Sequence, residues 1–542
     1  MKEVHEAFGW IDWTVVLVYM VFTTILGERL SGKQANIKDF FLGGKSLPWP
    51  AVSGSIIATE ISALTFIGVP GGVFALQGDF TYLVWGIGSI IARFFVGFYL
   101  VPLYYKKEIF SPYDYMGNQL GERVKKLVTV LFSMGSILGQ SVRVLVTAII
   151  LQVVTGLPMT WCIIVIGIFA VIWTLMGGMR TVIWTDVMQF FVFIIGGVIA
   201  LVWLGSVVGW DQFFELNKNV IGPDGEVINK FKWFDTRNPF DHPAVSYTFW
   251  VAVFAMPFQN IAAFGTDQLN AQRMFCCGSE SEARKAIVWS SISQVITLLM
   301  LMVGAGLFAW YIVHEPTVQE QAMFSQDKNN VFPIWIVTVL PTGLKGLIIA
   351  GAFAAAVSSL DSILAALSQT TLSAYYGKKY MDEHGGDTKM VKKSRILVLG
   401  WAVILSTMSI LLSLNYLADG GDKNLIDLAF RMVAYVYGAL LGILILAIGP
   451  WKSQASFRGI LVGVICSVLV AAWALPDVYN LIKGLGLMEK PEEVFNKPSL
   501  NFAWFYPINT IVTVVFGLII PGANTEEGKD DNDDKLVRST GE

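Results

Sequence analysis

Eight charged side chains lie inside long apolar stretches, and their chemistry is the first clue to function. They are Glu60, Arg93, Arg143, Asp186, Lys345, Asp361, Asp427 and Arg431. Because an unpartnered charge is costly inside a bilayer, we expect most of them to face a protein interior or an aqueous cavity. Lys345, Asp186 and Asp427 lie near the ends of their stretches, where the alternative is a side chain that extends to the membrane surface. For Glu60, Arg93 and Arg143 the alternative is an ion pair with a purely structural role.

A cluster of oxygen-bearing side chains occurs in the apolar stretch AAAVSSLDSILAALS, residues 354–368. On one helix turn, oxygens would come from Ser358, Ser359, Asp361 and Ser362. A hard monovalent cation needs several such oxygen ligands, and the small residues that precede them allow another helix to approach closely. The alternative is ordinary helix packing, with the hydroxyls bonded to their own backbone carbonyls.

Two apolar stretches are interrupted by polar or helix-breaking residues. The first, residues 56–74, contains Glu60, Pro70 and several glycines, and its unwound backbone would free carbonyl oxygens for a cation. The second, AMPFQNIAAFG, contains Pro257, Gln259 and Asn260. These are the second and seventh of the predicted spans, and interrupted spans at matching places in two halves are typical of inverted-repeat transporters. Two unrelated proline kinks are the alternative.

The elements that position these residues are transmembrane helices. The chain of 542 residues is 54% hydrophobic and only 15% charged, which excludes a single water-soluble domain. Its net charge of -3 gives no indication of nucleic-acid binding. Apolar runs long enough to cross a bilayer predict thirteen helices. They cover residues 9–27, 48–76, 80–104, 127–155, 159–176, 181–207, 244–266, 286–313, 343–377, 396–415, 424–450, 459–477 and 502–521.

The distribution of Lys and Arg predicts the orientation and the domain order. Basic residues collect in the connections on one side, which places the N-terminus outside and the C-terminus in the cytoplasm. We divide the chain into an extra span with its loop (1–47), a first repeat (48–207), an extracellular loop (208–243), a second repeat (244–450), two C-terminal spans (451–521) and a disordered tail (522–542). No catalytic motif is present, so an enzyme is not expected. A solute-gated channel or sensor on the same fold is the alternative to a carrier.

Several motifs together resemble the sodium/solute symporters, a family that includes sodium/galactose and sodium/sialic acid carriers. The matching stretches, between about residues 12 and 451, are DFFLGGKSLPW (39–49), ATEISALTFIG (58–68), GGMRTVIWTDVMQ (177–189), GTDQLNAQR (265–273) and AAAVSSLDS (354–362). The resemblance implies an all-helical membrane protein with a leucine-transporter-type core of five plus five spans. It also implies that Na⁺ drives import of a small solute across the plasma membrane by alternating access.

The resemblance implies two sets of sodium ligands. The conserved site would use backbone oxygens of Ala58, Ile61 and Ala355 and the hydroxyls of Ser358 and Ser359. A second site, as in sialic acid carriers, would use Asp186, Asp361 and Ser362, although an acid stands at 361 where those carriers have a neutral ligand.

For the solute, the resemblance favours a carboxylate-bearing molecule such as a sialic acid, or a sugar derivative. Of the galactose-binding positions only Asn260 matches, because Ala263 replaces a gating tyrosine and Gln294 a lysine. Ser62 and Thr65 match hydroxyls of the sialic acid carriers, and Arg143 matches the arginine that binds the carboxylate. Glu60 either neutralises Arg143 or binds an amine or sugar hydroxyls. The complete predicted solute set is Glu60, Ser62, Thr65, Arg143, Asn260, Phe264, Gln294 and Arg431; a sodium-dependent sugar or polyol carrier is the alternative within this class.

Overall fold

A computed structural model describes residues 4–31, 43–107, 109, 111–175, 179–222, 225–376, 388–418, 424–484, 487–488 and 491–521. The tail predicted to be disordered, residues 522–542, lies outside the described residues. So do residues 32–42 and 377–387, which include part of the basic connections used to predict orientation.

The regular secondary structure of the described residues is helical apart from one short hairpin. In the first half the helices are α1 (Trp10–Ser31), α2 (Trp49–Glu60), α3 (Val69–Phe74), α4 (Trp85–Phe95), α5 (Val101–Lys106), α6 (Pro112–Leu120), α7 (Glu122–Thr155), α8 (Met159–Thr174), α9 (Met179–Val208) and α10 (Trp210–Lys218). Strands β1 (Val220–Ile221) and β2 (Val227–Ile228) pair antiparallel, with Val220 opposite Ile228.

The second half has fifteen more helices in the described residues. They are α11 (Phe249–Phe254), α12 (Met256–Ile261), α13 (Gln268–Met274), α14 (Glu280–Trp289), α15 (Ser293–Val313), α16 (Val318–Gln326), α17 (Val331–Val339), α18 (Leu344–Tyr376), α19 (Thr388–Ala418), α20 (Leu425–Ala434), α21 (Tyr437–Ile448), α22 (Phe457–Ala474), α23 (Pro476–Gly484), α24 (Pro491–Val494) and α25 (Phe505–Ile519). Single turns of π-helix occur at Leu64–Gly68, Val96–Leu100 and Ala262–Thr266. Short 3₁₀ turns lie at Val4–Ala7, Gly43–Lys45, Thr81–Val84, Ser290–Ile292, Lys328–Asn330 and Phe502–Trp504.

The apolar helices coincide with the predicted spans. Within the described residues, nine helical segments are long and apolar enough to cross a membrane, or eleven when two bent pairs are each counted as one span. Two shorter apolar helices, Met159–Thr174 and Leu344–Phe353, fall on the fifth and ninth predicted spans. Large apolar side chains such as Leu17, Phe98 and Ile195 are exposed on the outer faces of the spans. Exposed apolar side chains of this kind are what contact with lipid requires.

The second span is broken, as the sequence predicts. Helix α2 ends at Glu60, where the Ile61 backbone is extended (φ −81°, ψ 106°), and the chain resumes as a π turn and α3 at an angle of 58° to α2. Pro70 lies just after the π turn within one helical segment, Leu64–Phe74, and has no N–H to donate to the preceding turn. Helix α15 packs closely on this segment because Gly304 has no side chain: a Cβ there would lie 2.8 Å from the Pro70 carbonyl oxygen.

The seventh span is interrupted beside the predicted proline and again at its end. Helix α11 ends at Phe254 and α12 begins at Met256, with Pro257 in its first turn, and the chain then stays helical through Thr266. The helix stops at Asp267, whose backbone is extended (φ −73°, ψ 124°) and whose carboxylate caps α13 by accepting from the Leu269 N–H at 2.8 Å. A further bend of 43°, between α20 and α21 in the eleventh span, has no counterpart in the sequence analysis.

The loop before α11 is anchored through a buried lysine. The Lys230 ammonium, which is fully buried, lies 2.7–3.4 Å from the carbonyl oxygens of Val73, Ala75, Leu76 and Gly78. It also lies 4.0 Å from the centroid of the Phe308 ring. The Lys230 ammonium is therefore surrounded by carbonyl oxygens at the end of α3, and these contacts join the loop to the broken span.

A second anchor in the same loop is Asp235. Burial raises the pKa of its carboxyl group, but hydrogen bonds from the Arg237 side chain and backbone outweigh this and lower the pKa to about 2. The Asp235 carbonyl oxygen accepts from the Phe249 N–H at 2.7 Å, at the start of α11. The carboxylate therefore remains ionised at neutral pH and binds Arg237, while the backbone carbonyl of Asp235 joins the loop to the start of the seventh span.

We expect Lys230→Met to lower the thermal unfolding temperature of the purified protein. Methionine preserves much of the volume but leaves the carbonyls at the end of α3 without their donor, and each unsatisfied buried polar group costs about 1–3 kcal/mol. The exposed Lys218→Met on α10 serves as the matched control. Equal unfolding temperatures for the two variants would show that the ammonium contacts do not stabilise the loop.

Candidate functional site

A cavity of about 170 Å³ lies beside the break in the second span. Its walls come from the broken segment, α4, α7, the seventh span, α15, α20 and the start of α21. The polar and charged lining residues are Thr59, Glu60, Thr65, Tyr82, Ser89, Ser136, Gln140, Arg143, Gln259, Asn260, Asp267, Asn270, Ser293, Gln294, Thr297 and Tyr437. Elements distant in sequence thus meet around one polar space within an apolar bundle.

Glu60 forms an ion pair with Arg93, and not with Arg143. Arg93 Nη2 donates to Glu60 Oε2, while Nη1 donates to the Ser290 carbonyl at 2.8 Å and to Ser293 Oγ at 3.0 Å. The Arg93 side chain is 0% exposed, whereas that of Glu60 is 31% exposed and lines the cavity. The two charges therefore form an ion pair, although one partner remains accessible.

Arg143 is placed at the cavity by α7 and binds the end of α2. Its Nη1 donates to the Thr59 carbonyl oxygen at 2.8 Å. Because helical carbonyls at a C-terminus lack intrahelical partners, a guanidinium there satisfies a group that the break leaves open. No other hydrogen bond from the Arg143 guanidinium is found within the described residues, so its remaining N–H groups are available to the cavity.

Asp267 and Tyr437 are cavity residues that the sequence analysis missed. Tyr437 Oη donates to Asp267 Oδ2 at 2.5 Å, linking the break in the seventh span to the start of α21. Asp267 directly follows the apolar run 244–266, which is a position typical of a connection. The signal in the sequence is the DQ pair in GTDQLNAQR, which by itself indicates only the family.

Four neutral side-chain oxygens in the cavity wall are buried and have no hydrogen-bond partner within the described residues. They are Ser89 Oγ, Ser136 Oγ, Gln140 Oε1 and Gln259 Oε1. Buried polar atoms normally have partners, and an unsatisfied one costs about 1–3 kcal/mol. Their concentration around one cavity is the arrangement that a polar ligand requires.

Aromatic side chains close one end of the cavity. Trp85 lies with its ring centroid 4.8 Å from Tyr247 and 5.1 Å from Phe430, and its Nε1 donates to the Ser246 carbonyl at 2.9 Å. Tyr247 Oη donates to Asp427 at 2.6 Å. Asp427 is therefore held by a side-chain partner and does not extend to the membrane surface.

The predicted solute residues are only partly brought together. Thr65, Asn260, Phe264 and Gln294 line the cavity with Glu60 and Arg143. Ser62 is buried in the break, where its Oγ accepts from the Leu64 N–H at 3.3 Å, and it is not in the lining. Arg431 is a correction: its guanidinium binds Asp477 at 2.8–3.0 Å and does not line the cavity. Asp477 lies on α23, so this ion pair holds the Arg431 guanidinium away from any solute in the cavity.

The predicted sodium ligands lie on α2 and α18. Ile61 directly follows α2, and its N–H donates to the Ile57 carbonyl at 2.8 Å. No backbone amide of the described chain donates to the Ala58 or Ile61 carbonyl. On α18, Ser359 is buried. Ala355 and Ser358 lie on the same helix, but their side chains fall outside what the structure describes.

Arg273 occupies the centre of the predicted second sodium site. Its Nη2 donates to Asp186 Oδ2 at 3.1 Å and to Ser362 Oγ at 2.9 Å, and its Nε donates to Ser55 Oγ at 2.9 Å. Ser362 Oγ in turn donates to Asp361 Oδ1 at 3.1 Å. Asp186 and Arg273 are both almost completely buried. Asp186 thus has a cationic partner inside the protein. Lys345 likewise has an anionic partner, Asp12, at 3.8 Å. The alternative that these side chains extend to the membrane surface is therefore wrong for both.

We expect Arg273→Met to destabilise the protein by about 3–5 kcal/mol, because it leaves the buried Asp186 carboxylate without a cation. The unfolding temperature of the purified protein measures this effect. Arg123→Met, at an exposed position on α7, is the control for loss of an arginine. A variant as stable as the control would show that another cation already balances this cluster.

The fold and the cavity define a class of protein. Apolar spans surround a polar, charge-bearing cavity, and the cavity lies where two spans lose their helical backbone. Irregular backbone at membrane depth occurs where it is buried in protein or lines a cavity, and this arrangement is characteristic of secondary transporters. The molecule is an integral membrane transporter.

The chain belongs to the sodium:solute symporter family, whose sequence model matches residues 40–466. It is 27% identical over 86% of its length to a sodium/glucose cotransporter of Vibrio parahaemolyticus, covering 86% of that protein. It is 25% identical to the sodium/sialic acid symporter SiaT of Proteus mirabilis (strain HI4320), with 86% of this chain and 90% of that protein covered. A solved substrate-bound, outward-open Na⁺-coupled sialic acid symporter has the same fold, with a TM-score of 0.74 and 23% identity over 95% of this chain and all of that one.

These findings establish the activity. The protein is a sodium-coupled symporter that imports a solute, and it is not an enzyme. The prediction of the family, of sodium as the coupling ion and of symport is confirmed.

Proposed function

We propose that the protein imports a small polar solute, a sialic-acid-like carboxylate or a sugar derivative, through the cavity beside the broken second span. The observation that carries this proposal is the placement of Arg143 in a cavity rich in unsatisfied polar oxygens. An arginine presents several N–H donors in a planar fork that matches a carboxylate. The named relatives that transport glucose or sialic acid support a solute of this kind.

The core is proposed to contain two inverted repeats, residues 48–207 and 244–450, within a chain of thirteen spans. The break at Ile61 lies in the second span and the break at Asp267 directly follows the seventh, and these two spans are equivalent in such halves. With residues 1–47 before the core, 208–243 as an outer loop and 451–521 after it, the N-terminus would lie outside and the C-terminus in the cytoplasm. The membrane would be the plasma membrane.

For sodium we propose one site between α2 and α18. The carbonyl oxygens of Ala58 and Ile61 are left open where α2 ends, and the end of a helix favours a cation. Ser359 is buried on α18, which contacts α2. The Ala355 carbonyl and the Ser358 hydroxyl complete the proposed set of five ligands.

At the predicted second site, we propose that Arg273 supplies the positive charge instead of a second sodium ion. Its guanidinium donates to two of the three predicted ligands, Asp186 and Ser362. A sodium ion bound there would have to displace these hydrogen bonds and lie beside a fixed cation. Asp361 remains next to this cluster with Ser362 as a donor.

The geometry gives a physical route for coupling sodium to solute. Residues 58–61 provide both the proposed sodium carbonyls and the solute-side groups, because Thr59 is bound by Arg143 and Glu60 lines the cavity. Ordering this short segment around sodium would therefore pre-form part of the solute site. By linkage, the solute must then increase the affinity for sodium by the same factor.

The proposal is tested by thermal unfolding of the purified protein with candidate solutes in the presence and absence of sodium. Sialic acids, hexoses, polyols and monocarboxylates form the panel. A solute whose stabilisation requires sodium identifies the substrate class, because a ligand that binds the folded state raises stability by mass action. Uptake of that solute into proteoliposomes under a sodium gradient completes the test, and equal uptake with potassium on both sides would contradict the proposal.

A further inference from the structure

We propose that Glu60 selects solutes that carry hydroxyl groups, with Arg93 as the residue that positions it. This inference rests on the proposed function, since it names the chemical feature that a solute needs in the same cavity. Nothing in it depends on whether the solute also carries a carboxylate.

The two carboxylate oxygens of Glu60 have different surroundings. Oε2 accepts from Arg93 Nη2. No other partner of the Glu60 side chain is found among the described residues, and 31% of that side chain is exposed at the cavity wall. One oxygen is therefore fixed by protein, while the other is available to a molecule in the cavity.

Arg93 itself cannot reach the solute. Its side chain is 0% exposed, and both of its terminal nitrogens are used: Nη1 by the Ser290 carbonyl and Ser293 Oγ, and Nη2 by Glu60. Its guanidinium carbon lies 4.5 Å from the centroid of the Phe264 ring. The role left to Arg93 is to balance the charge of Glu60 and hold its carboxylate at the cavity wall.

A carboxylate balanced in this way prefers hydroxyl donors. Its free oxygen offers lone pairs, and an O–H donor to an ionised acceptor forms a hydrogen bond about twice as strong as a neutral one. A solute carboxylate would be repelled at this oxygen and has Arg143 as its alternative. A solute ammonium would gain less than at a bare acid, because Arg93 already neutralises the charge.

The remaining wall is consistent with a hydroxyl-rich solute. Ser89, Ser136, Gln140 and Gln259 each contribute a neutral oxygen without a protein partner. Several neutral donors on one solute would satisfy such oxygens together, and a solute without donors would leave them unpaired at a cost. A site built for hydroxyl groups discriminates strongly against analogues that lack them.

The experiment measures solute affinity by thermal unfolding, in sodium, for Glu60→Gln and the wild type. The hydroxyl-bearing probes are N-acetylneuraminic acid, glucose and myo-inositol; butyrate and betaine are the probes without hydroxyl groups. Glutamine keeps an oxygen for Arg93 and turns the cavity-facing atom into a donor. We expect only hydroxyl-bearing probes to stabilise the wild type, and Glu60→Gln to weaken the best of them about 10- to 100-fold. The exposed Glu215→Gln on α10 is the matched control.

The response to sodium without any solute separates this inference from the function on which it rests. If sodium alone stabilises both proteins equally and only solute affinity falls, the selective role of Glu60 is supported. If butyrate or betaine stabilises the wild type as strongly as any hydroxyl-bearing probe, or if Glu60→Gln retains wild-type affinity, the inference is overturned. A variant with both Glu60→Gln and Arg93→Gln, which removes the ion pair as a unit, provides the same readout if the single variant does not fold.

Discussion

Arg143→Ala should reduce sodium-driven uptake about 100-fold or more. The substitution removes the cavity donors that we assign to the solute, and charge-assisted hydrogen bonds of this kind contribute about 1.5–3 kcal/mol each. It also leaves the Thr59 carbonyl, now bound at 2.8 Å, without a donor beside the proposed sodium ligands. Both effects act on the segment that connects the two sites, so we expect uptake to fall by more than the loss of either contact alone would cause.

Two further variants make the Arg143 prediction specific. Arg143→Lys keeps the charge and can restore the Thr59 contact but not a two-point contact with a carboxylate, so we expect it to recover stability and only part of the uptake. Arg458→Ala, at an exposed position on α22, controls for loss of an arginine. Uptake is measured in proteoliposomes with the solute that the thermal screen identifies. Full activity of Arg143→Ala would show that this arginine has only a structural role.

Features encoded in contiguous sequence were predictable. Each of the thirteen predicted spans overlaps an apolar helix, a bent pair or a shorter apolar helix of the structure, because span length depends on local composition. The break near Glu60 was predictable for a similar reason, since a charge and a proline within one apolar run disfavour an uninterrupted helix. The family resemblance matched Thr65 and Asn260, and both line the cavity, as do Phe264 and Gln294 of the predicted solute set.

Pairings between distant residues were not predictable from one sequence. Arg93 and Glu60 are 33 positions apart, and Arg93 and Ser293 are 200 apart. Nothing local distinguishes Arg93 from Arg143 as the partner of Glu60, because both are single arginines within apolar helices. The choice is made only in the folded structure, where Arg93 Nη2 reaches the Glu60 carboxylate and Arg143 Nη1 reaches the Thr59 carbonyl. The location of Arg431 could not be predicted for the same reason, because its partner Asp477 comes from a helix outside the predicted core.

The end of the seventh span shows what composition leaves out. Pro257 was expected to disrupt the helix, and the short break between α11 and α12 lies beside it. Asp267 ends the helix further along the chain, because its carboxylate accepts from the Leu269 N–H and from Tyr437 Oη, which favours an extended backbone followed by a new helix. The decisive partner, Tyr437, lies 170 positions away.

Ser359→Ala should raise the sodium concentration needed for half-maximal uptake about tenfold or more. Ser359 is buried on α18, and its hydroxyl is one of five oxygens in the proposed site. Loss of one ligand from a small site that sodium must enter without most of its water removes an interaction worth about 1–2 kcal/mol, for which alanine provides no substitute. Because the same ion orders the residue 58–61 segment, solute affinity at a fixed low sodium concentration should fall in parallel.

The control for Ser359 lies on the same helix. Ser368 is equally buried, and it lies more than two helical turns from the proposed site, where its Oγ donates to the Ser394 carbonyl at 3.0 Å. Ser368→Ala should therefore alter stability without altering the sodium dependence, whereas Ser359→Thr, which keeps a hydroxyl, should retain most of the sodium response. The sodium titration of thermal unfolding without solute measures binding directly, and uptake measures coupling. If Ser359→Ala titrates with sodium like the wild type in both assays, its hydroxyl serves helix packing, and the ion must be held by the backbone carbonyls and the other serine.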